Sequence, residues 1–195
     1  KDLKEILNGL DYDIFNSQTD KNLIQNFSFA TIDKKANSKK EVCKMFNIKY
    51  DEKPLIAFVA RLVEQKGLDL LINSVDKLKK LNANFVILGS GDKYYADFFQ
   101  NLNKKNINIK ANVNYEEGIA RKVFAGSDML LMPSHFEPCG ITQMIAMRYG
   151  SLPLVRAVGG LENTVVGYPL NKANGFKFWS YIPDDMIKCI KVALK

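Results

Sequence analysis

The sequence predicts an α/β fold, a parallel sheet with helices on both faces. Three observations lead there. Short, wholly apolar runs such as Leu55-Ile56-Ala57-Phe58-Val59 and Phe85-Val86-Ile87-Leu88 suit strands buried on both sides. Elsewhere apolar residues recur at helical spacing, as at Leu68, Leu71, Ile72, Val75, Leu78 and Leu81. The two kinds of segment alternate, and strands separated by helices pair in parallel through right-handed crossovers.

Taken in order, residues 1–50 read as a lead-in, turn-rich from Lys1 to Asp20, with one helix expected near Lys39 to Phe46. Pro54 precedes the first strand, Leu55 to Val59, and the helix over Leu68 to Leu81 follows. The strand Phe85 to Leu88 stops at Gly89, and Tyr94 to Leu102 reads as a helix. A weaker strand is expected within Ile107 to Val113, then a helix over Glu116 to Ala125. Met129 to Met132 is a strand ended by Pro133, Ile141 to Tyr149 a helix, and Leu152 to Val155 a strand. Phe176 and Phe178 mark a last strand. Pro183-Asp184-Asp185 is the start signal of a closing helix over Met186 to Leu194. No repeat or low-complexity tract interrupts the chain. Its 195 residues suffice for a single domain, 1–195, with a full core.

A formal charge of +7 admits nucleic acid, an anionic membrane or a phosphorylated small molecule as partner. The lysines are spread along the chain rather than clustered among aromatics, so nucleic acid is not expected. No apolar run approaches the ~20 residues of a membrane span, and Lys1-Asp2-Leu3-Lys4-Glu5 is too polar to open a signal peptide. Neither a membrane nor an export route is expected. Cys43, Cys139 and Cys189 form no CxxC pair, so a disulfide framework or a zinc site is not expected, and a reducing cytoplasm fits.

Ligands of open parallel sheets sit beyond the carboxyl ends of the strands. Four clusters fall there. Arg61 and Lys66 stand in one loop after the first strand, where a diphosphate clamp and two surface cations fit equally well. Gly89-Ser90-Gly91-Asp92 permits close backbone approach to a ligand, although by itself it reads as a tight turn. Ser134 to Gln143 leads from a strand into a helix whose free N–H groups can hold a phosphate. Within it Glu137 suits sugar hydroxyls or a developing oxocarbenium charge, or else caps the helix. Cys139 reads as a small buried thiol and His135 as a loop histidine without metal-ligand companions. Gly159-Gly160 either opens a loop for a ligand or makes a plain turn.

With these clusters in hand, the chain resembles the carboxyl-terminal domain of bacterial glycogen synthases and plant starch synthases, the family-five glycosyltransferases. The matching pieces are Asn8-Gly9-Leu10-Asp11-Tyr12-Asp13, Arg61-Leu62 with Gln65-Lys66-Gly67, Tyr115 with Glu117, and Ala125-Gly126-Ser127-Asp128. They continue with Glu137-Pro138-Cys139-Gly140, Thr142-Gln143-Met144, Arg148-Tyr149-Gly150 and Gly159-Gly160-Leu161, in the family's order. Asn163 and His135 depart from its usual Asp and Arg. Related glycosyltransferases carry a second, ribose-holding glutamate eight residues after the first; here that position is Ile145, as suits the glycogen and starch synthase branch.

The resemblance implies a Rossmann-like sheet, one half of a GT-B enzyme, and a cytoplasmic location, or a plastid in a plant-type lineage. It implies ADP-glucose as donor substrate, with no cofactor and no metal, and the non-reducing end of an α-1,4-glucan as acceptor. Arg61 and Lys66 would clamp the diphosphate, Glu137 would contact the glucosyl ring, and Tyr115 would stack near the adenine. Gly89, Cys139, Gly140, Ile141 and Thr142 complete the expected donor-binding set. The acceptor would engage an amino-terminal domain that lies outside this sequence, so the chain alone is expected to be inactive. The alternatives are a GT-B transferase with another nucleotide-sugar donor and a non-catalytic nucleotide- or carbohydrate-binding module.

Overall fold

The computed structural model describes Lys4 and residues 6–105 and 108–195. Six parallel strands form one sheet: β1 (Leu55–Val59), β2 (Asn84–Leu88), β3 (Ile109–Asn112), β4 (Met129–Met132), β5 (Leu152–Arg156) and β6 (Phe176–Phe178). Their spatial order is β3-β2-β1-β4-β5-β6. The chain therefore builds outward from β1 in one direction and then returns to lay β4 on its other side. The strand order reverses between β1 and β4, where the carboxyl ends leave a crevice in such sheets. The expected strands are all present. Ile107, where the third was expected to begin, lies outside the described residues.

The helices cover both faces. α2 (Leu68–Leu78), α3 (Lys93–Lys105) and α7 (Pro183–Ala193) pack on one, joined by Ile56, Phe58 and Leu131 of the sheet. α1 (Lys35–Met45), α4 (Glu117–Gly126), α5 (Thr142–Arg148) and the short α6 (Gly159–Thr164) pack on the other with Leu55, Ala57 and Val59. Successive strand residues thus feed opposite cores, which is why the strand runs are apolar throughout. Among the described residues, no helix is long and apolar enough to cross a membrane.

The first fifty residues do more than lead in. Leu23, Phe27, Val42, Cys43, Phe46 and Ile48 are core residues of the second face, with Leu10 and Phe15 packed against them. α1 starts at Lys35, four residues before its expected start. The Lys35 ammonium donates to the carbonyls of Ala125 and Tyr149, at 2.6 and 3.0 Å, and so joins the ends of α4 and α5. Cations are favourable at helix carboxyl ends. Gly126 completes this junction, because a Cβ there would lie 2.6 Å from the Ser38 carbonyl oxygen.

Candidate functional site

A cavity of about 500 Å³ opens at the strand reversal. Val59, Ala60 and Arg61 reach it from the end of β1, and Leu131, Met132 and Ser134 from the end of β4. Its inner wall is apolar, with Phe58, Phe124 and Ile145. Its polar lining groups are Arg61, Lys66, Ser90, Tyr115, Glu117, Arg121, Ser134 and Thr142, of which Arg121 and Ser134 are buried. An apolar pocket with a few convergent polar groups is the usual form of a small-molecule site. A second, more open groove runs beside α1, between Ile24, Asn37 and Met45, away from the strand ends.

Loops bring Lys66 and Glu137 together from opposite sides of the reversal. Lys66 Nζ lies 2.6 Å from Glu137 Oε2, and Ser134 Oγ donates to the same oxygen at 3.3 Å. Their side chains are 18% and 9% exposed, so the pair is largely withdrawn from water. Two hydrogen bonds lock the loops: His135 N–H donates to Gln65 C=O at 2.9 Å, and the Gln65 side-chain Nε2 donates to Phe136 C=O at 3.2 Å. Gly67 is the hinge of this meeting. Its φ is +79°, and a Cβ there would stand 2.0 Å from the Pro133 carbonyl oxygen. Arg61 is exposed at the rim.

Of the other expected residues, Tyr115 and Thr142 line the cavity, and Tyr115 is half exposed. Burial, with Glu117 nearby, raises the Tyr115 phenol above its ordinary pKa. Gly89 is buried, and a Cβ there would meet the Ala60 carbonyl oxygen at 1.9 Å. Its smallness serves the packing of neighbouring loops, and Ser90 is the residue of that turn that lines the cavity. Glu137 does not cap α5: the residue before the helix is Ile141, and the Glu137 carboxylate is held by Lys66 and Ser134. Cys139, Gly140 and Ile141 form the approach to α5 without lining the cavity, Cys139 part-buried and Ile141 exposed. His135 packs at a tilt against Tyr181, with ring centroids 4.9 Å apart.

The glycine pair does not open a loop. Gly159 and Gly160 begin α6, and Cβ atoms there would lie 2.2 Å from the Glu137 carbonyl oxygen and 1.9 Å from that of Cys139. Their bareness lets α6 press against the loop that carries Glu137.

Three supporting residues have no role assigned by the sequence. Gln143 is fully buried and donates to the Cys139 and Gly140 carbonyls and to Thr164 Oγ1, at 3.3, 3.1 and 2.9 Å. Arg156 donates to the His135 carbonyl at 2.7 Å and the Trp179 carbonyl at 3.1 Å. Arg121 is the third. Its side chain, 7% exposed, lies in a buried network with Asp20 Oδ2 at 3.4 Å and Tyr149 Oη at 3.3 Å. It also donates to the Ile14 carbonyl, stacks on Phe15 with 4.3 Å to the ring centre, and reaches Glu117 Oε1 at 2.6 Å. Tyr149 donates to Asp20. Burial opposes the Asp20 charge, but the hydrogen bonds from Tyr149 and Asn22 and the Arg121 cation outweigh it and hold Asp20 below its ordinary pKa. Burial and the Asp20 hydrogen bond push Tyr149 up to about 12. Glu117 and Tyr149 stand in the family-matching pieces, but nothing local in the sequence joins them to Arg121 or Asp20.

The family model described as Glycosyl transferases group 1 matches residues 40–195. The glycogen synthase of Clostridium beijerinckii is 45% identical over 196 residues, spanning 98% of this chain and 41% of that protein. The glycogen synthase of Thermosipho melanesiensis is 42% identical over 197 residues, spanning 99% of this chain and 41% of that protein. Among solved structures, the catalytic domain of starch synthase IV from Arabidopsis thaliana, bound to ADP and acarbose, matches with a TM-score of 0.89 and 32% identity. The match covers 97% of this chain and 41% of that one. Sucrose-phosphate synthase from Thermosynechococcus elongatus shares the fold, with a TM-score of 0.64 at 17% identity over 80% of this chain and 39% of that one. The chain thus spans about two fifths of the length of the curated relatives it matches. With a parallel sheet in GT-B order and a match over most of its length, this chain is a glycosyltransferase domain and belongs to the group 1 glycosyl transferases.

Proposed function

We propose that this chain is the donor-binding domain of a retaining α-1,4-glucosyltransferase that moves glucose from ADP-glucose to the non-reducing end of a growing α-glucan. The observation that carries this reading is the cavity at the β1/β4 reversal, with Arg61 and Lys66 on its rim and Tyr115 lining it. A diphosphate matches the two cations, and the aromatic face of Tyr115 suits a base. The names of the relatives, and the ADP bound to the starch synthase, support the same donor.

The reaction breaks the bond between glucosyl C1 and the diphosphate oxygen. The acceptor 4-hydroxyl attacks from the face the diphosphate leaves, and its proton passes to the departing phosphate oxygen. Configuration is retained through an oxocarbenium-like state. Arg61 and Lys66 stabilise the negative charge as it grows on the phosphate, which is where fixed cations accelerate a reaction. On this reading Glu137, which pairs with Lys66 and Ser134 just behind the cavity lining, contacts the glucosyl ring. Lys66 therefore links the leaving group to the sugar-facing carboxylate.

The acceptor would be held by an amino-terminal domain, and the site closes to water only when two domains meet. This gives a direct test. The chain joined behind the amino-terminal half of the Clostridium beijerinckii glycogen synthase should transfer labelled glucose from ADP-glucose to glycogen, while the chain alone should not. Transfer by the chain alone, or a chimera that prefers UDP-glucose, would overturn the proposal.

A further inference from the structure

We infer that Glu117 receives the ribose diol of the nucleotide, positioned for it by Arg121; this rests on reading the cavity as a nucleoside diphosphate site. Glu117 is the one carboxylate among the described residues that line the cavity. A carboxylate repels a diphosphate, so it must face a neutral, donor-bearing part of the ligand. Vicinal ribose hydroxyls are such donors, and hydrogen bonds to a charged acceptor are the stronger kind.

The geometry prepares Glu117 for that contact. Its Oε1 accepts from Arg121 Nη2 at 2.6 Å, while the side chain remains 69% exposed. Arg121 is itself fixed by Asp20, Tyr149, the Ile14 carbonyl and the Phe15 ring. An exposed glutamate ordinarily loses rotamer freedom when it binds. Here the arginine has already oriented the carboxylate, which lowers the ordering cost of binding. The neighbouring wall, Ala120 and Ile145, has no side-chain hydrogen-bonding group to offer a sugar.

The test is calorimetric titration of ADP and 2′,3′-dideoxy-ADP into the 195-residue chain and its variants, with thermal melts to confirm folding. The unsubstituted chain should prefer ADP by about tenfold or more, the worth of hydrogen bonds to a charged acceptor. Glu117→Ala should bind the two nucleotides alike, at the weaker affinity. Glu117→Gln, which keeps the shape and loses the charge, should narrow the preference, and so should Arg121→Lys, which loses the Nη2 contact that aims the carboxylate. An undiminished preference for ADP in a folded Glu117→Ala or Glu117→Gln chain would overturn the assignment, as would equal binding by the unsubstituted chain. Failure of the unsubstituted chain to bind either nucleotide would overturn the nucleotide-site reading beneath it.

Discussion

Arg61 and Lys66 share one loop, but their surroundings differ. Lys66 is held at 2.6 Å by a carboxylate that is itself 9% exposed, whereas Arg61 is exposed at the rim. Their substitutions should therefore part company. In the active chimera, Arg61→Ala should cut turnover by ~10²–10³, the usual loss when one stabiliser of transition-state charge is removed, with an unchanged melting temperature. Lys66→Met should cut turnover and also destabilise the fold by about 1–3 kcal/mol, because it leaves Glu137 withdrawn from water without its cation. Glucose-transfer assays and denaturant unfolding of both variants check this; equal stability loss in the two would contradict it. The positions of both cations were legible in the sequence, since they lie in a loop between an apolar strand run and a helix. The Lys66–Glu137 pair was not, because its members stand 71 residues apart and only the meeting of two loops joins them.

At the scale of elements, legibility followed burial pattern. α2 repeats apolar residues on one face and was read from Leu68 onward. α1 buries only Ser38, Val42 and Cys43, so its start at Lys35 carried no periodic signal. α6 was missed altogether. Two glycines at its start are poor helix formers, and the segment reads as a loop. Tertiary contact overrides that preference, because the glycines let the helix lie against the backbone of Glu137 and Cys139. A methyl group at Gly160 has no space there. Gly160→Ala should destabilise the domain by about 1–3 kcal/mol, as overpacking does. It should also weaken ADP binding, because the displaced loop carries Glu137, the carboxylate that holds Lys66 for the diphosphate. A chain with unchanged unfolding midpoint and unchanged ADP affinity would contradict this account of α6.

At the scale of the whole molecule, a buried charge network fastens residues 14–20 to α4 and the end of α5 and reaches the cavity at Glu117. Asp20, 2% exposed, answers Arg121 across 101 positions of sequence, and no local pattern announces it. Asp20→Asn removes one member of a buried pair and should cost about 3–5 kcal/mol in chemical denaturation. The same residue sets a pH response. Its folded pKa lies below the ordinary 3.8, so the folded state holds fewer protons than the unfolded chain as that value is approached. The stabilisation is present above the unfolded pKa and is lost as pH falls through the lower, folded one. The acid limb of the parent should therefore be steeper below about pH 4 than that of Asp20→Asn. Parallel acid limbs would contradict it. The sheet, every α-helix but α6, and the positions of the loops that follow the strands are thus readable from alternation and punctuation. The contacts that hold the clusters to one another depend on strand order, which alternation leaves open. That order also makes the central claim testable by one measurement, a crystal structure of the chain with ADP. The account predicts the diphosphate within hydrogen-bonding distance of Arg61 and Lys66 at the β1/β4 reversal, with the base against Tyr115. A nucleotide bound instead in the open groove beside α1, with Arg61 and Lys66 untouched, would contradict it.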